Sequence, residues 1–140
     1  MTRLAWSPTP PRFVRRWAVQ GRKPDGDLAT TIFDLLEYRR HVAIFPATVE
    51  TFAVRIDREA MRMLLATLQA GGNCAVPAWH AIHGDRLFGL RSIDDRVELY
   101  ESIPDGEINI SYRNERLLAL GHTFIEIVEA MDRNCPVING

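Results

Sequence analysis

The sequence predicts an α+β fold with a mainly antiparallel sheet, in the order α-β-β-α-β-β-β-β-α, with helices packed on one face and a basic, proline-rich N-terminal arm in front. Three observations carry this. Between residues 78 and 112, short β-prone runs follow one another across turn chemistry, with no helix between them. Three segments, at about 28–40, from Asp57 to Gly71 and from Asn114 to about Asp132, place apolar residues at helical spacing. The charge is also divided: the first 23 residues hold six basic side chains and no carboxylate, and the rest of the chain carries a net −7. Strand–helix alternation, which a parallel α/β sheet requires, is absent.

Residues 1–11 contain three of the eight prolines and read as extended or disordered chain. The next segment, Arg12 to Gln20, fits two periods. As a helix it sets Arg12, Arg15 and Arg16 on one face; as a strand it aligns Phe13, Arg15, Trp17 and Val19. Gly21 to Gly26 is a turn. Asp27 is placed to cap a helix over about 28–40, with Leu28, Ile32, Leu35 and Leu36 as its buried stripe. Val42–Phe45 and Phe52–Ile56 read as strands on either side of Pro46-Ala47-Thr48.

Asp57 opens the clearest helix. Met61, Leu64, Leu65 and Leu68 form its apolar face, and Gly71-Gly72 stops it. Strands are expected over 78–83, 86–92, 96–102 and 107–112, joined by Gly84-Asp85, Asp94-Asp95 and Pro104-Asp105-Gly106. In the last of them Ile108, Ile110 and Tyr112 face inward and Glu107, Asn109 and Ser111 outward. Asn114 then begins a helix to about Asp132, with Leu117, Leu118, Gly121, Phe124, Ile125, Val128 and Met131 on one side, and Cys135-Pro136 ends it. The domain reading is an arm over 1–23 and one α+β domain over 24–140.

No apolar run reaches the roughly 18 residues of a membrane helix, and the arginines near the N-terminus precede no apolar h-region. Two cysteines are too few for a disulfide framework, so the reading is a cytoplasmic protein with reduced thiols. Sixteen arginines against one lysine point more to a GC-rich bacterial genome than to a binding surface.

Candidate chemistry is sparse. His80 and His83 with Cys74 could ligate a metal or form a thiol–imidazole pair. On a strand, however, residues three apart face opposite ways, so neither a metal site nor any cofactor is expected. The carboxylates Asp94, Asp95, Glu98, Glu101, Asp105 and Glu107 cluster around Tyr100, with Arg96 opposing them. They suit an acidic docking face for a basic partner protein better than a catalytic pair. Arg12, Arg15, Arg16, Arg22 and Lys23, with Trp17 among them, suit phosphates and bases.

The expectation is therefore a small, non-catalytic bacterial binding module. Its acidic sheet face would occupy a basic partner, as an immunity or antitoxin protein, a secretion chaperone or an adaptor does. The alternative is a nucleic-acid-binding accessory protein that uses the arginine-rich arm. A thiol enzyme at Cys74 comes third, and a second copy of the chain is a further candidate partner.

Overall fold

The structure, a computed structural model, describes residues 12–47 and 53–134. The expected extended segment 1–11, the start of the 52–56 strand at Phe52, and the Cys135-Pro136 stop lie outside the described residues. Eight antiparallel strands in sequential order close into a barrel. They are β1 (Phe13–Arg22), β2 (Leu28–Leu36), β3 (His41–Phe45), β4 (Val54–Asp57), β5 (Asn73–His80), β6 (Gly84–Ile93), β7 (Arg96–Ile103) and β8 (Gly106–Arg113). Helix α1 (Arg58–Ala70) follows β4 and α2 (Glu115–Asn134) follows β8, so the chain runs as four strands and a helix, twice over. The α+β class and the antiparallel sheet stand, while the expected element order does not.

The main correction is at 28–40. Leu28, Ile32, Leu35 and Leu36 satisfy a helical stripe, yet the segment is strand β2, followed by a tight turn over residues 37–40. Thr30, Thr31, Ile32 and Phe33 supply β-branched and aromatic bulk, which fits a pleated surface better than a helix. Ala29, Thr31, Phe33 and Leu35 alternate into the core, and Asp27 belongs to the tight turn joining β1 to β2: Lys23 N donates to Asp27 O at 2.9 Å. The Arg12 to Gln20 segment takes its strand alternative, with Trp17 and Val19 turned inward.

At α1 the sequence pattern holds, whereas the strand expected over 78–83 runs from Asn73 to His80. The Asp57 side chain accepts from Ala60 N at 2.9 Å, and Gly71 closes α1 at φ 76°, its N–H reaching the Leu68 and Thr67 carbonyls. This is the left-handed helix stop that glycine adopts without penalty. In α2 the buried stripe is Leu120, Phe124, Ile127, Val128 and Met131, rotated from the expected face, so that Leu118 is 67% exposed. Phe124 meets Phe33 edge-to-face at 5.8 Å, which anchors this face of the helix to β2.

The barrel divides into two four-stranded curls that meet at two seams. One seam is held by Val54–His80 and Arg55–Trp79, the other by a single ladder pair, Arg22–Ser111. Each helix lies against both strands of one seam: α1 on β4 and β5, α2 on β1 and β8, with the two helices in mutual contact. Arg58 and Arg62 of α1 both donate to Asp132 of α2 at 2.8 Å. At the β8–β1 seam Gly21 is required: a Cβ there would stand 2.6 Å from Ser111 O and from the Ile110 side chain.

Candidate anion-binding groove

The outward faces of β7 and β8 and the turn after β1 enclose a groove of about 1000 Å³ along the β8–β1 seam. Period-two alternation places its floor. Ile110 and Tyr112 turn into the core, which leaves Asn109, Ser111 and Arg113 on the outer surface of β8. Arg96 and Glu98 project from β7 beside them. Arg22, Lys23 and Gly26 come from the β1–β2 turn, and Asn114, Glu115 and Arg116 from the start of α2. Five cationic side chains thus converge with two carboxylates.

Two of the cations already have partners. Arg96 donates to Glu98 at 3.2 Å, and Arg113 lies 3.4 Å from Asp95. Arg22 donates to the Gly26 carbonyl at 2.7 Å, which fixes the guanidinium at the groove wall without neutralising it. Among the described residues no carboxylate pairs with Arg22, Lys23 or Arg116. The groove is therefore a cationic trough with amide and hydroxyl groups on its floor.

The carboxylates expected to form an acidic face are dispersed. Glu98 and Tyr100 project outward from β7, and Glu107 from β8, as the alternation requires. Arg91 of β6 crosses this surface with its guanidinium 4.1 Å from the Tyr100 ring centroid, and it pairs with both Glu98 and Glu107. The hydrogen bond from Arg91 holds the Glu107 carboxyl below its usual range. Tyr100 packs on Gly89, where a Cβ would clash with the Cζ, Cε2 and hydroxyl of the tyrosine. Glu101 faces the opposite way: it is 4% exposed, inside the barrel, with Arg86 at 4.0 Å. Asp94 and Asp95 form the β6–β7 turn, and Asp105 lies in the β7–β8 turn.

The N-terminal cations separate as well. Arg15 and Trp17 both donate to Glu126 of α2, at 2.9 and 3.0 Å. Arg16 makes a two-pronged contact with Asp34, 2.7 and 2.8 Å, which raises its own pKa. Arg12 is exposed at the start of β1. Strand formation thus ties Arg15, Arg16 and Trp17 to the protein itself and delivers Arg22 and Lys23 to the groove.

Cys74 and His80 lie on the same strand six residues apart, a separation of about 20 Å, so β5 does not bring thiol and imidazole together. Strand β5 ends at His80 rather than at 83, and the turn that follows stacks the His83 ring against His80 at 4.8 Å. His80 Nδ1 accepts from the backbone N–H groups of Ile82 and His83. Burial first, then His83 and Arg86, push its pKa below the usual imidazole range. Among the described residues no group of three or more histidine, cysteine or carboxylate side chains is placed to hold a metal ion.

Sequence reasoning missed Arg91, Arg113, Arg116, Asn109, Ser111 and Asn114. The outward 109-111-113 alternation was readable, but its proximity to Arg22 depends on a seam between residues 89 positions apart in the chain. No helix among the described residues is long and apolar enough to cross a membrane. Compared with protein-family models, curated proteins and solved structures, the chain shows no match to any.

Proposed function

We propose that this protein is a binding module that takes a nucleic-acid strand into the cationic groove along the β8–β1 seam. The observation that carries the reading is the convergence of Arg22, Lys23 and Arg116, none paired with a carboxylate among the described residues, from two segments far apart in sequence. A fold that gathers unneutralised cations over polar hydrogen-bonding groups matches the chemistry of phosphate and sugar contacts. The alternative, docking on a basic partner through Asp94, Asp95, Glu98, Tyr100, Glu101, Asp105 and Glu107, has less support. Arg91 and Arg96 neutralise Glu98 and Glu107, and Glu101 lies inside the barrel.

Fluorescence anisotropy with labelled oligonucleotides tests the reading. The double substitution Arg22→Gln, Lys23→Gln weakens binding, whereas Arg62→Gln, paired with Asp132 and outside the groove, does not. Equal loss in both variants, or none in the first, refutes the groove.

A further inference from the structure

The β2–β3 hairpin turns through a conformation that its own residues oppose. Tyr38 sits at φ 73°, ψ −6° and Arg39 at φ 56°, two successive left-handed residues of the kind found in a type I′ turn. That turn favours Asn-Gly, because a bulky side chain at positive φ crowds its own backbone. Each such residue costs on the order of 1–3 kcal/mol. The fold offers no offset at Tyr38: the side chain is 83% exposed, and among the described residues it makes no hydrogen bond or ring contact.

The surroundings indicate what the ring is held out for. Glu37 N donates to the Arg12 carbonyl at 2.9 Å, which draws the start of β1 against the turn. Phe13, opposite Leu36 in the ladder, is 46% exposed. Arg39 and Arg40 belong to the turn and Arg12 joins it through its carbonyl, while the Arg16 guanidinium covers the Phe13 ring at 4.3 Å, so Tyr38 is the uncovered aromatic face; Glu37 is the one carboxylate within the 37–40 turn. Aromatic faces set among guanidinium groups form a stacking platform for unpaired bases with cations for the adjoining phosphates.

Resting on the nucleic-acid reading above, we infer that the ligand is single-stranded and that Tyr38 stacks on one of its bases at a second contact, at the opposite end of β1 from the groove. A duplex hides its base faces, so a stacking post discriminates single strands from double strands. Because the strain serves the ligand and not the fold, its removal separates the two.

The experiment is Tyr38→Asn in the full chain, measured with a labelled oligothymidylate of about 20 nucleotides and with its duplex, alongside thermal unfolding. Asparagine tolerates the left-handed region, so the variant melts higher than the parent. Its affinity for the single strand falls by about 5- to 150-fold, the loss of one base–aromatic stack, and its affinity for the duplex is unchanged. A lower melting temperature overturns the strain argument. Equal losses on single strand and duplex overturn stacking. Unchanged single-strand affinity, with Arg22→Gln, Lys23→Gln still weakening it, overturns the Tyr38 contact and leaves the groove standing. Failure of the parent protein to bind either probe overturns both.

Discussion

Salt titration reads the cation count of the groove directly. Each phosphate neutralised on a single strand releases counterion and contributes about 0.7 to the slope of log K against log salt. Arg22, Lys23 and Arg116 have no carboxylate partner among the described residues, so binding through these three gives a slope of about −2. Between about 50 and 200 mM salt the affinity then falls by about 20-fold. If the strand also draws Arg96 from Glu98 and Arg113 from Asp95, five contacts give about −3.5, a fall of about 130-fold over the same range. Anisotropy titrations at four or five salt concentrations distinguish the two cases. Arg22→Gln should lower the parent slope by about 0.7. A parent slope shallower than −1, or one that Arg22→Gln leaves alone, refutes the argument that these side chains meet phosphates.

Three further outcomes concern the fold that positions the groove. Gly89→Ala forces Tyr100 off its seat beneath Arg91 and should cost about 1–3 kcal/mol in urea unfolding; an unchanged midpoint would show that the ring moves freely. Asp34→Ala removes a carboxylate 6% exposed that accepts two hydrogen bonds from a half-exposed Arg16. With that exposure discounted the loss is about 1–2 kcal/mol, read by the same assay. The Glu107 carboxyl has a lower pKa folded than unfolded, so its contribution is complete above the unfolded value and is lost as pH falls through the folded one. Arg91→Gln should therefore flatten the stability profile below about pH 4 and leave it unchanged in shape near neutrality.

What the sequence disclosed depended on how local the determinants were. The β6–β8 meander and α1 were legible because turn residues and caps lie within a few positions of what they terminate, as Asp57 and Gly71 do. Residues 28–36 were misread because their leucines and isoleucine satisfy both periods. The β-branched and aromatic run from Thr30 to Phe33, with the tertiary need to bury Ala29, Thr31 and Phe33 together, selects the strand. In α2 the curved interior selected Leu120, Phe124 and Ile127 over the flanking Leu118 and Ile125, a rotation of the helix that hydrophobic spacing alone leaves open. The groove was illegible because charge was read by sequence segment. Arg15 and Arg16 looked equivalent to Arg22, yet strand β1 gives the first two to Glu126 and Asp34 and the third to the opposite end of the barrel.

The single ladder pair between Arg22 and Ser111 has a mechanical meaning. Each four-stranded curl is stitched by long registers, whereas this junction is closed by few backbone bonds and by α2, which lies against both of its strands. The groove straddles that joint, with Arg22 and Lys23 on one leaf and Asn109 and Arg113 on the other. A strand lying in it bridges both leaves and penalises their separation, so occupancy and closure of the barrel become linked equilibria. A joint with a single ladder pair among the described residues is thereby one that a ligand in the groove is placed to fasten.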